Sequence, residues 1–183
     1  MMGQMTRRNQ PGPILETIDR PGGDDFVAEL RRIWDAGNAA FPVDQRLPEA
    51  VKAELCTAMG VGQPVEPGDA LVMATSGSTG APKGVVLTHE AVAASADATN
   101  VRLEVTGDDH WLACLPLSHV GGLSVVTRSL YAGTHLTVHP GFDATAVMAS
   151  GATLVSLVPT ALARIDPTAF RAIVLGGSRP PAD

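Results

Sequence analysis

The chain has 183 residues, 45% of them hydrophobic, and a formal net charge of −6. That length suffices for one domain with a core of its own. The acidic balance, with no Lys/Arg cluster against it, argues against non-specific binding to nucleic acid, and no apolar run approaches the roughly 20 residues of a membrane span.

In chain order, residues 1–23 read as a disordered tail: Arg7 and Arg8 are followed by no apolar segment that would make a signal peptide. Asp24 to Asp35 reads as a helix, with Asp24 or Asp25 as its cap and Gly37 as its stop. Phe26, Leu30, Ile33 and Trp34 fall on one face of it. Pro48 to Met59 reads as a second helix, Pro48 near its first turn and Gly60 at its end, and 64–68 as a loop. Residues 24–68 thus form a helical lead. Cys56 and Cys114 stand alone, without metal-ligand spacing. They read as core packers in a reducing, cytoplasmic compartment.

From residue 69 strand and helix patterns alternate. Strands are expected at 70–75 and 84–88, then a helix at 89–101 with Thr88 as its cap and Glu90 in its positive first turn. Strand 110–115, helix 119–131, strand 134–138, helix 143–150, strand 152–157, helix 159–165 and strand 171–175 follow. Strands separated by helices of this length predict an α/β fold, a mostly parallel sheet with flanking helices, over residues 69–183. Ligands of such sheets bind at the carboxyl ends of strands. The segments 75–84, 115–120 and 175–178 all lie at such ends.

The first of these, Thr75-Ser76-Gly77-Ser78-Thr79-Gly80-Ala81-Pro82-Lys83-Gly84, packs four hydroxyls, three glycines and a lysine into ten positions. Glycines allow close backbone approach, and clustered N–H groups and hydroxyls can surround a phosphate that Lys83 would neutralise. The apolar runs on both sides argue against a flexible linker. The P-loop pattern fails, because no Ser or Thr follows Lys83, and the Rossmann pattern fails for want of its first glycine. The string closely resembles the signature loop of the adenylate-forming (acyl-CoA synthetase, AMP-binding) superfamily.

Two further segments carry the same resemblance. Leu115-Pro116-Leu117-Ser118-His119 resembles the superfamily's Pro-Leu-x-His segment, whose histidine borders the acyl pocket. Leu175-Gly176-Gly177-Ser178-Arg179-Pro180 resembles its Gly-Gly-Ala-Pro segment, which lies against adenine and the acyl group. Arg128, nine residues after His119 and ahead of Leu130-Tyr131-Ala132-Gly133, looks like one branch in particular: the o-succinylbenzoate–CoA ligases of menaquinone biosynthesis. There an arginine at the matching position grips the substrate's second carboxylate, which suits a guanidinium fork. The helical pattern sets Arg128 off the apolar stripe of Leu123, Val126 and Leu130.

The resemblance implies an ATP-dependent acid–CoA ligase that forms an acyl-adenylate and then a thioester. Its substrates are ATP, a small carboxylic acid and coenzyme A. Thr75, Ser76, Gly77, Ser78, Thr79, Gly80 and Lys83 would hold the ATP phosphates, with Lys83 and His119 as catalytic residues. His119, Arg128, Gly176, Gly177 and Ser178 would bind the acid. No Tyr-Gly-x-Thr-Glu run is present, so the glutamate that holds Mg2+ in the superfamily has no counterpart here, and no residue is assigned to metal. The resemblance therefore covers an incomplete AMP-binding subdomain without the mobile C-terminal domain, and implies little turnover by this chain alone. Its partner proteins would be a second copy in a homo-oligomer or a complementing C-terminal chain. A fatty or aryl monocarboxylate as the acid, or a non-catalytic nucleotide-binding fragment that needs a partner chain, fits the same residues.

Overall fold

The computed structural model describes residues 12–76 and 82–178. It contains two four-stranded sheets. The first has the order β1-β2-β3-β4, from β1 (Leu15–Ile18), β2 (Ala39–Pro42), β3 (Asp69–Ser76) and β4 (Pro82–Thr88). β1, β2 and β3 run parallel and β4 returns antiparallel to β3. Helices α1 (Asp24–Asp35) and α2 (Glu49–Met59) make the parallel crossovers, and α3 (His89–Arg102) follows β4.

The second sheet has the order β6-β5-β7-β8, all parallel, from β5 (His110–Ala113), β6 (His135–Val138), β7 (Leu154–Leu157) and β8 (Ala172–Leu175). α4 (Val120–Ala132) joins β5 to β6, and α5 (Ala144–Met148) joins β6 to β7. α6 (Pro159–Leu162) and a 3-10 turn at Pro167–Ala169 join β7 to β8. The α/β class is as expected, but its strands divide between two sheets.

The N-terminal region departs most from the sequence reading. Within the expected tail 1–23, β1 is a paired strand with Leu15 and Ile18 buried. Within the expected helical lead 24–68, β2 is buried throughout and sits between β1 and β3. Both were missed for one reason. Neither shows the alternation that marks a half-exposed strand: β2 is an interior parallel strand buried at every residue, and β1, at the sheet edge, is fully buried only at its two ends, Leu15 and Ile18. The run Ala39-Ala40-Phe41-Pro42 carries little β-propensity besides.

The elements that were anticipated form for the expected reasons. Phe26, Leu30 and Ile33 of α1 are buried, and Trp34 donates its indole N–H to the Ala70 carbonyl at 2.8 Å. The cap of α1 is Gly23, however, with Asp24 and Asp25 inside the first turn, where their charge suits the dipole. Thr88 caps α3 by accepting from the Ala91 N–H at 3.1 Å. Gly60 and Gly133 end α2 and α4 in the left-handed conformation.

The second sheet is covered on both faces. Trp111, Leu154, Ala172 and Val174 face α4 and join the largest core cluster with Leu123, Val125 and Val126. Leu112, Val155, Leu157 and Phe170 pack on the other face with Val147 and Ala161 of α5 and α6. α4 also packs against α3, so it is wedged between α3 and the sheet. Among the described residues no helix is long and apolar enough to cross a membrane. Cys114 is fully buried, and burial pushes its thiol up to about 11, as befits a packing residue. Cys56 is half-buried near Thr17.

Candidate functional site

The β3–β4 hairpin carries the glycine-rich segment. Thr75 pairs with Lys83 and Ser76 with Pro82 across the ladder. Thr75 is exposed, and its hydroxyl donates to the Lys83 carbonyl at 3.2 Å. The Lys83 residue is exposed on β4. Gly77, Ser78, Thr79 and Gly80 lie outside the described residues, as does the side chain of Ser76. The described flanks of the segment are thus the carboxyl end of β3 and the start of β4.

β1, β2 and β3 run in one direction, so this end of β3 lies at the same sheet edge as the segment following β2, Val43 to Arg46. That segment meets the carboxyl end of β5 in a cleft of about 310 Å³ lined by Asp44, Arg46, Cys114, Leu117 and Ser118, among others. Asp44 was missed by the sequence reading. Its carboxylate accepts from the Arg46 backbone N–H at 3.0 Å, from Arg46 Nε and from Arg46 Nη2 at 2.6 Å, and stands 4.0 Å from His119 Nε2. The Arg46 guanidinium, foremost, holds the Asp44 carboxyl down to about 2.

His119 is the residue just before α4, in extended conformation, and its side chain is 61% exposed. Gly122 explains the tight entry into α4. A Cβ there would meet the Leu115 carbonyl oxygen at 2.5 Å and crowd the Pro116 carbonyl also. A second, apolar cavity of about 180 Å³ opens on the other side, between α3 and α4, lined by Met73, Leu87, Val92, Val120 and Leu123, among others. His119 stands between Ser118, which lines the first cleft, and Val120, which lines the second.

Arg128 differs from the helical-wheel reading. Because α4 is covered by both α3 and the sheet, a residue off the apolar stripe is still enclosed. The Arg128 guanidinium lies over the Trp111 ring at 5.6 Å, and its Nη1 donates to Ser156 Oγ at 3.2 Å. Asn100 of α3 donates to the Arg128 carbonyl at 3.0 Å. Burial pushes the Arg128 pKa downward, and its Nε has no hydrogen-bond partner among the described residues.

Gly176, Gly177 and Ser178 follow β8 and are exposed. The Gly176 N–H donates to the Leu157 carbonyl at 3.1 Å, and Gly177 has φ +82 against Val158. They lie at the same edge of the second sheet as His119, since β5 and β8 run parallel. That edge therefore gathers His119 and the Gly-Gly turn, while the Arg128 side chain reaches the α4-facing side of the sheet from within the layer. Among the described residues there is no group of three or more His, Cys, Asp or Glu side chains that could hold a metal ion.

A 2-succinylbenzoate–CoA ligase of Bacillus anthracis is 37% identical over 122 residues, which is 60% of this chain and 25% of that protein. The o-succinylbenzoate CoA synthetase (MenE) of Bacillus subtilis, solved with the acyl-adenylate intermediate OSB-AMP, superposes with a TM-score of 0.82 at 25% identity. That match covers 93% of this chain and 45% of the other. The same Bacillus subtilis protein in complex with ATP and magnesium ion shares the fold, with a TM-score of 0.79 at 24% identity over 90% of this chain and 56% of that one. The chain thus spans about half or less of the relatives that it matches. The family described as AMP-binding enzyme matches residues 22–182, which take in β2 to β8 and the three motif segments, and the chain belongs to that family.

Proposed function

We propose that this chain provides the phosphate-binding and acid-binding part of an ATP-dependent acid–CoA ligase, with o-succinylbenzoate as the acid. The observation that carries the acid is Arg128: a guanidinium enclosed between α4 and the second sheet, its Nε buried without a partner among the described residues. An enclosed cation with a spare donor is costly unless an anion meets it. A monocarboxylate engaged at His119 would leave Arg128 unmet. About 14 Å of helix rise separates His119 from Arg128, at 1.5 Å per residue, and helix side chains lean back towards the N-terminus. An acid with a second carboxylate at some distance from the first fits that spacing. The similarity to 2-succinylbenzoate–CoA ligases and to the OSB-AMP-bound structure supports the same acid.

In the first step an oxygen of the acid's carboxylate attacks the α-phosphorus of ATP. The bond to the β-phosphate breaks and pyrophosphate leaves. In the second, the thiol of coenzyme A attacks the acyl carbon and AMP leaves with the bonding electrons. Two anions meet in the first step, so donors already aimed at the phosphates matter most. Thr75, Ser76, Ser78 and Thr79 supply hydroxyls, Gly77 and Gly80 supply backbone N–H groups, and Lys83 supplies charge. His119 borders the reacting carboxylate, Gly176 to Ser178 flank the acyl-adenylate, and Arg128 orients the acid through its remote end. Magnesium, when bound to the nucleotide, screens the phosphate charge. The proposed substrates ATP and coenzyme A support a cytoplasmic location.

An AMP-release assay with a panel of acids, on the full-length ligase to which this chain would belong, tests the reading. The expected result is preference for o-succinylbenzoate over benzoate and fatty acids, lost in Arg128→Ala. Equal use of benzoate by the wild type and by that variant would refute the assignment of the acid.

A further inference from the structure

Three buried polar atoms without partners among the described residues belong to one neighbourhood: Arg128 Nε, Trp111 Nε1 and Asn100 Oδ1. The Arg128 guanidinium lies over the Trp111 ring, and the Asn100 amide is bonded to the Arg128 carbonyl. Trp111 is fully enclosed and Ser156 is 4% exposed. Trp111 pairs with Leu154 two residues before Ser156, so the indole and the Ser156 hydroxyl share the α4-facing side of the sheet. Ser156 in turn pairs with Val174 of β8, the edge strand, whose residues are only half-buried. These groups are thus enclosed by β5, β7 and α4, with the half-buried residues of β8 beside them.

An unpaired buried donor costs about 1–3 kcal/mol, and two in one place need a common explanation. A carboxylate has two oxygens and accepts from two N–H donors at once. Guanidinium stacking on an indole leaves the in-plane donors of both groups free for such an acceptor.

We infer that Trp111 is a second, specificity-determining donor for the acid: its indole N–H and Arg128 Nε together grip the remote carboxylate, while Ser156 anchors the far side of the guanidinium. This rests on the reading of the substrate as an acid with two carboxylates. It goes further in assigning a role to a tryptophan and a serine that would otherwise count as packing residues.

The test is calorimetric titration of the full chain with o-succinylbenzoate, with benzoate, and with aryl dicarboxylates of other spacing. Wild type is compared with Trp111→Phe, which keeps an aromatic platform and removes the N–H, and with Ser156→Ala. Thermal melting is followed in parallel. The expected result for Trp111→Phe is a loss of o-succinylbenzoate affinity of about tenfold, in the range for a hydrogen bond to a charged group, with benzoate unchanged. Ser156→Ala should lose about threefold with the same selectivity.

Unchanged o-succinylbenzoate affinity in Trp111→Phe, with the melting temperature unchanged or raised by removal of an unpaired donor, would overturn the inference and leave the substrate reading intact. If wild type ignores o-succinylbenzoate but binds another dicarboxylate with the same dependence on Trp111, the two-donor site stands and the choice of acid falls. Absence of any preference for dicarboxylates in the wild type overturns both. Should Trp111→Phe fail to fold, Ser156→Ala decides by the same ratio of o-succinylbenzoate to benzoate affinity.

Discussion

His119 Nε2 stands 4.0 Å from the Asp44 carboxylate, joining a residue that follows β2 in one sheet to the start of α4 beside the other. The imidazole is largely exposed and Arg46 already claims the carboxylate, so the contact is worth less than about 1 kcal/mol. Its consequence is orientation. We expect Asp44→Asn to raise the KM for the acid about threefold and His119→Ala about tenfold, with the KM for ATP unchanged in both. Steady-state kinetics with each substrate varied in turn checks this; a rise in the KM for ATP alone would place His119 away from the acid.

Lys83 is exposed on β4, next to Pro82 at its start, and is the one cation in the segment Thr75 to Gly84. In the complete ligase, Lys83→Ala should slow ATP–pyrophosphate exchange by roughly 10²–10³, the loss expected of one preorganised donor. Melting temperature should hardly move, because the side chain is in solvent. Exchange at the wild-type rate would remove the hairpin from the chemistry.

Gly121 and Gly122 are neighbours with opposite tolerance. A Cβ on Gly121 meets only Leu115 Cδ1 at 3.8 Å, whereas one on Gly122 runs into two backbone carbonyls. Gly122→Ala should destabilise by about 3 kcal/mol through overpacking. Gly121→Ala should be neutral or gain up to about 1 kcal/mol from helix propensity. Urea denaturation of the pair distinguishes them, and equal midpoints would contradict the tight entry into α4.

Asp109, 4% exposed, ties the start of β5 to the start of β8. It accepts from Arg171 Nη2 at 2.6 Å, from the Thr106 N–H at 3.0 Å and from the Thr153 hydroxyl at 2.7 Å. The Arg171 guanidinium, foremost, holds its carboxyl down to about 2. An acid whose pKa is depressed on folding contributes stability above its unfolded value of about 3.9, and that contribution fades as pH falls through about 2. Asp109 should therefore contribute about 2 kcal/mol at pH 7, lost between about pH 4 and pH 2. Asp109→Asn should flatten the acid limb of stability against pH; a limb of unchanged slope would show that other carboxylates carry it.

Much of the fold was legible where side-chain periodicity or local chemistry is strong. Phe26, Leu30 and Ile33 announced α1, Thr88 announced the start of α3, and Gly133 the end of α4, because caps and stripes act within a few residues. β1 and β2 were not legible. Their burial comes from neighbours that arrive later in the chain, so nothing in Leu15–Ile18 or Ala39–Pro42 alone distinguishes them from tail or loop.

The sequence by itself determined the chemistry on offer: the hydroxyls and glycines ahead of Lys83, the histidine after Pro-Leu-Ser, the Gly-Gly turn after the last strand, and with them the family. Such motifs act through backbone freedom and functional groups that are local and therefore written in order. Only the tertiary structure decided where Arg128 goes. A helical wheel assumes one buried face, and α4 has two, because α3 and the second sheet enclose it from both sides. That enclosure put a guanidinium over Trp111 and beside Ser156, residues 17 positions before it and 28 after it, which no spacing along the chain could have joined.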